Sequence, residues 1–91
     1  MKPRKDYRLK VDLPIMCKLF DNQQPVIKEW RTHDLSDSGM CFYATTLFKE
    51  GHVLQVNIPH IFNLPKDSII RWCAQQSKGV YKIGVLFSNY S

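Results

Sequence analysis

The sequence predicts an all-β domain, a six-stranded antiparallel barrel or sandwich. Two observations carry that expectation. Apolar residues alternate with polar ones in short runs, and turn residues punctuate the runs at close intervals. A third observation supports it by exclusion: no stretch repeats its apolar residues at helical spacing. Repeats and low-complexity segments are also lacking.

The first strand is expected over 11–20, VDLPIMCKLF, where Val11, Leu13, Ile15, Cys17 and Leu19 fall on one side. Pro14 has no N–H to give a ladder, so its backbone must lie at an edge or a bulge. Asp21-Asn22 marks a turn into 25–33, PVIKEWRTH, whose mixture of β-branched, aromatic and charged residues suits a half-exposed strand. DLSDSG (34–39) then separates this strand from MCFYAT (40–45). Lys49-Glu50-Gly51 reads as a turn, and HVLQVNIP (52–59) alternates through Leu54, Val56 and Ile58. A loop over 62–67 contains Pro65. SIIRWCAQ (68–75) is the fifth strand, and Ser77-Lys78-Gly79 leads tightly into VYKIGVLF (80–87).

Ninety-one residues form one domain, too small for a deep cleft between lobes, so a ligand would sit on its outside. No apolar run approaches the length of a membrane span, and MKPRKDYRLK lacks the apolar core of a secretory signal. Cys17, Cys41 and Cys73 are odd in number and widely spaced. They read as reduced thiols of a cytoplasmic protein, with neither a disulfide framework nor a metal site. The net charge of +5 is concentrated at the start. Residues 1–10 carry five basic side chains against one acidic, a net of +4, while the remaining 81 residues are close to neutral. A basic arm of this kind matches an anionic partner, or serves only as a solubilising tail.

His33, Asp34 and Ser36 contain the residue types of a hydrolase triad, but on one extended turn they cannot form its sequential relay. No nucleophile elbow or phosphate-cradling glycine loop is present, and the domain is expected to be non-catalytic. The arm offers more specific chemistry. Arg4 and Arg8 stand four apart in RKDYR, and each planar fork can donate paired hydrogen bonds to a phosphate or to the O6/N7 edge of guanine. In DLSDSG, Asp34 can accept from the N1/N2 edge of guanine, and Ser36 can reach a phosphate or base. Gly39 lets the backbone turn and bring its amides close to a ligand. Arm and loop therefore offer complementary halves of a site for a purine carrying phosphates.

RxxxR near the start, followed about 25 residues later by DxSxxG, resembles the paired signature of the PilZ domain family. The resemblance extends through RKDYRLKVDLPIMCKL, THDLSDSGMCF, FKEGHVLQVNIP, IIRWCA and YKIGVLF. It implies a small six-stranded barrel of split-barrel type that binds the bacterial second messenger cyclic di-GMP on its outer surface. Residues 1–10 would be a flexible basic arm and 11–87 the barrel. By that resemblance Arg4, Arg8, Asp34, Ser36 and Gly39 contact the ligand, with Lys5, Ser38 and Trp72 as further candidates. Trp72 falls where some relatives use an aromatic beside the ligand, and a core or strand-surface role is an equal reading. Two departures stand out. Ser38 occupies a position where a second glycine is frequent, and the chain runs only four residues past Phe87, so the family's C-terminal helix is expected to be short or absent.

The implied function is a cyclic di-GMP sensor and adaptor in motility or biofilm control. Its arm would order over the ligand, and its altered surface would signal to an effector protein. A single-stranded nucleic-acid-binding barrel is the first alternative, favoured by the positive charge and the 12% aromatic content. Confinement of the charge to the arm makes nucleic acid the weaker reading. The second alternative is a ligand-independent PilZ-like interaction module.

Overall fold

The computed structural model describes residues 8–88. Six strands follow in order: β1 (Leu9–Asp21), β2 (Gln24–Leu35), β3 (Gly39–Ala44), β4 (Val53–Asn57), β5 (Lys66–Ser77) and β6 (Val80–Phe87). All neighbours are antiparallel, and the order β1-β2-β3-β6-β5-β4 closes into a barrel where β4 meets β1. No helix occurs among the described residues.

The turns follow from residue chemistry. Asn22 and Gln23 join β1 to β2 with φ of 53° and 66°, the doubly left-handed geometry that matches the twist of the flanking strands. Gly51 and Gly79 turn at φ of 86° and 76°, where a side chain would be strained. Three strands are longer than the alternation suggested. β1 begins at Leu9, β2 continues through Leu35, and β5 begins at Lys66.

Inward side chains fill the barrel: Ile15 and Cys17 from β1, Met40 and Phe42 from β3, Val56 from β4, and Ile70 and Ile83 from β5 and β6. Trp30 stacks on Phe42 with ring centroids 5.9 Å apart, and Phe48 packs edge-on against Trp30 at 6.0 Å. Burying a side chain of Phe42's size contributes roughly 2–3 kcal/mol, so this cluster outweighs any single surface ion pair. Closure is narrow, since β1 and β4 pair only at Met16–Asn57, Cys17–Val56 and Lys18–Gln55. Pro14 precedes that seam, where β1 is paired on one side by β2 alone, so its missing N–H is tolerated. All three cysteines are unpaired.

The ladder is broken at particular places. Register shifts fall between Lys10 and Leu13 on β1, between Thr32 and Asp34 on β2, and between Ile70 and Trp72 on β5. Arg31 spans the first of these: its Nε donates to Asp12 Oδ1 at 2.8 Å and its Nη2 to the Asp12 carbonyl at 3.3 Å. The same hydrogen bond holds the Asp12 carboxyl below its ordinary pKa.

Candidate functional site

Strict alternation along β2 would send Asp34 into the barrel after Trp30 and Thr32. The register shift leaves His33 as the extra residue, so Asp34 turns outward and Leu35 packs against the core. Thr32, fully buried, fastens this bulge. Its hydroxyl donates to the Cys41 carbonyl at 2.6 Å and accepts from the Asp34 N–H at 3.4 Å. β5 repeats the device. Ile70 is buried, Arg71 is the extra residue, Trp72 emerges on the outer face at 39% exposure, and Cys73 returns to the core.

The two bulges align their outward residues. Trp72 pairs with Gly84, Gly84 with Cys41, Cys41 with Asp34, and Asp34 with Lys10, a single cross-strand row over five strands. Gly84 is bare for a reason: a Cβ there would overlap the indole of Trp72, which lies over it. Gly84 and Cys41 thus form a low floor between an aromatic wall and a carboxylate. Burial raises the Cys41 thiol above its ordinary pKa, so that floor stays uncharged at neutral pH.

Arg8, the residue before β1, reaches the row. Its Nη1 lies 3.2 Å from Asp34 Oδ1, with the arginine side chain 51% exposed. The contact is an ion pair outside hydrogen-bond angles, and that buried carboxylate oxygen accepts no hydrogen bond. The loop after β2 is built by Ser36. Its N–H donates to the Gly39 carbonyl at 2.9 Å, and its Oγ accepts from the Gly39 N–H at 3.2 Å. Ser36 and Ser38 hydroxyls stand 3.4 Å apart, both largely buried, and the Ser38 carbonyl accepts from Phe87 N–H at 2.7 Å. Gly39 differs from the sequence expectation in its reason for being glycine. It opens β3 without a positive φ, and a Cβ there would overlap the Val85 carbonyl oxygen. Close approach of β3 to β6 requires it, rather than a turn.

Two grooves flank the row, each of about 320 Å³. The first is lined by Arg8, Ser38, Gly39, Arg71, Trp72 and Gly84, the second by Lys10, His33, Asp34, Tyr43 and Lys82; Cys41 borders both. Of the candidates read from the sequence, Arg8, Asp34, Ser38, Gly39 and Trp72 are brought together, and Ser36 lies beneath them shaping the loop. Arg4 and Lys5 lie outside the described residues. The sequence reading did not single out Arg71, Gly84, Tyr43 or Lys82. Alternation could have paired Tyr43 with Lys82 on an outer face, but Arg71 depends on a bulge that residue type does not announce.

A family model described as PilZ domain matches residues 2–91, and the chain belongs to that family. No curated protein sequence matches it. Among solved structures, the PilZ domain of Escherichia coli YcgR, determined with c-di-GMP, superposes with a TM-score of 0.70 at 20% identity, covering 99% of this chain and 81% of that one. The Bacillus subtilis inhibitor of motility (MotI/DgrA) gives 0.72 at 14% identity, covering 100% of this chain and 44% of that one. The K. pneumoniae MrkH–c-di-GMP complex gives 0.67 at 13%, covering 100% and 47%. The chain therefore spans less than half the length of the last two.

Proposed function

We propose that this PilZ domain is a non-catalytic receptor for cyclic di-GMP, bound on the outer face between Trp72 and Asp34. The observation that carries the reading is the row itself, with Arg8 against Asp34 on one side of Cys41 and an indole over bare Gly84 on the other. Guanine needs an acceptor for its N1/N2 edge, a planar donor for O6/N7 and a π surface, which are the chemistries of Asp34, Arg8 and Trp72. Arg8 and Asp34 already stand side by side, so one ligand edge can meet the guanidinium and the carboxylate together. Arg71 adds a guanidinium across the first groove for phosphate. Ser36 acts by holding the Gly39 backbone beside the groove.

On this reading Arg4, with Lys5 beside it, closes over the ligand as the second fork of RxxxR, and ordering the arm holds affinity in a reversible range. The altered outer face then signals to an effector protein, in the cytoplasm, in control of motility or biofilm formation. The c-di-GMP-bound YcgR and MrkH structures and the motility inhibitor of B. subtilis support that direction.

Isothermal titration of cyclic di-GMP into the wild type and Arg8→Ala tests the reading. Saturable binding is expected, weakened at least about tenfold in the variant, the loss of a charge-assisted contact of about 1.4 kcal/mol or more. A folded wild type that takes up no ligand, or that binds a single-stranded oligonucleotide equally well at physiological salt, refutes it.

A further inference from the structure

A third groove, of about 580 Å³, opens at the other end of the barrel. β1 runs from Lys10, beside Asp34, to Phe20 on the border of this groove, a path of roughly 30 Å at the usual strand rise. The groove lies where two strands part. β1 and β4 pair last at Lys18–Gln55, and Leu19, Phe20 and Asp21 keep a partner only in β2. The cross-strand pair Leu19–Val26 of this overhanging hairpin forms one wall. Phe48, from the connection between β3 and β4, lies deepest, packed edge-on against Trp30 at 6.0 Å and tilted against His52 at 5.8 Å. Phe20 and Leu47 also line the groove, yet they are 64% and 67% exposed.

Charge narrows the choice of occupant. Lys28 and Lys49 line the groove, and the Lys18 ammonium lies 5.9 Å from the centre of the Phe20 ring. Among the described residues no carboxylate lines it, and neither of its lysines has an ion-pair partner. Glu29 and Glu50 follow those lysines in sequence but lie outside the lining. The geometry points to a docking site for an acidic segment of another protein. That segment seats an apolar side chain on Phe48, between Leu19 and Leu47, and sets carboxylates against Lys28 and Lys49. A second copy of this chain turned onto the groove would bring lysine to lysine, with no carboxylate in the lining to meet them. A lipid surface needs an apolar face that enters it, whereas these apolar residues line a hollow. The one-sided edge of residues 19–21 leaves backbone groups that an extended segment can meet. The inference goes beyond the receptor reading and does not require it, since this groove shares no lining residue with the two beside the row.

The test selects random peptides displayed on phage against the whole domain. Enriched peptides are then synthesised and titrated into isotope-labelled protein by NMR. They are expected to combine a large apolar residue with Asp or Glu, and to shift the amides of Leu19, Leu47 and Lys49. Leu47→Asp and Lys28→Glu, both at exposed positions, are each expected to weaken them at least about tenfold. No enrichment, or enrichment of basic or uncharged peptides, would overturn the inference. Affinity within about twofold of wild type in both folded variants would do the same. Dimerisation that Leu47→Asp abolishes would assign the groove to a second copy, and binding to anionic phospholipid vesicles that it abolishes would assign it to a membrane; either result also overturns the inference. Cyclic di-GMP is titrated separately, and a wild type that ignores it ends the receptor reading while leaving this one standing.

Discussion

The β1–β2 ladder has a regular half and a broken half. From Leu13 to Asp21 the strand faces Gln24–Thr32 without a shift, and alternation alone sorts its side chains: Ile15 and Cys17 inside, Phe20 and Ile27 outside. Beyond Thr32 the register slips, and the residues that parity would bury come out. The regular half builds the core. The broken half gathers Arg8, Asp34 and, through the matching bulge in β5, Trp72 onto one outer row. A period-two strand can separate inside from outside, but it cannot place a carboxylate and an indole on the same outer row when their parity assigns both to the core. The bulges supply that.

Substitutions should cost most beside the broken half, where β3 meets β6 without slack. Gly39→Ala drives a methyl into the Val85 carbonyl, and only a shift of backbone between β3 and β6 can relieve it. A loss of about 3 kcal/mol or more is expected in urea unfolding, against less than about 0.5 for Lys28→Ala on the regular half. Equal costs at the two positions would erase the contrast. A smaller effect is expected at the fastening of the β2 bulge. Thr32→Val keeps the shape but leaves the Cys41 carbonyl and Asp34 N–H without the hydroxyl, for a loss of about 1–3 kcal/mol and weaker cyclic di-GMP binding through a displaced Asp34. Lost stability with unchanged affinity would show that Thr32 supports the core and not the site.

On the regular half the expected effect is confined to alkaline pH. Burial pushes the Cys17 thiol up to about 12 from 9.0. Above pH 9 the unfolded chain releases this proton while the folded one keeps it, so stability falls as pH rises. The slope from this group is about 1.4 kcal/mol per unit and ends near its folded pKa. Cys17→Val is expected to flatten the alkaline limb of a stability–pH profile by that amount. An unchanged profile would mean the thiol is not buried in solution.

Much of the barrel was legible because most strands carry their own period. VYKIGVLF coincides with β6 residue for residue, and the alternation of Leu54 and Val56 marks β4. The turns at Gly51 and Gly79 announced themselves through residues suited to positive φ. DLSDSG has the composition of a single loop, yet Asp34 and Leu35 end β2, Gly39 begins β3, and only Ser36–Ser38 turn. Residue type there signals hydrogen-bonding capacity, and Ser36 directs much of it to the Gly39 backbone. The bulges were hidden for a different reason. One extra residue changes no composition, and its sign is indirect: a charge at Asp34, where the parity of Trp30 and Thr32 points inward. Likewise Gly84 is visible in the I-G-V triplet, but its purpose, space for Trp72, depends on the bulge in β5, the strand before it.

The most direct measurement is a proton–nitrogen NMR titration of the wild type with cyclic di-GMP, following the two indole N–H signals. Trp30 lies against Phe42 and Phe48 in the regular half, whereas Trp72 borders the first groove. The Trp72 signal is expected to shift saturably with ligand while that of Trp30 stays nearly fixed. Saturation with the Trp72 signal unmoved would contradict a site built on the bulged row.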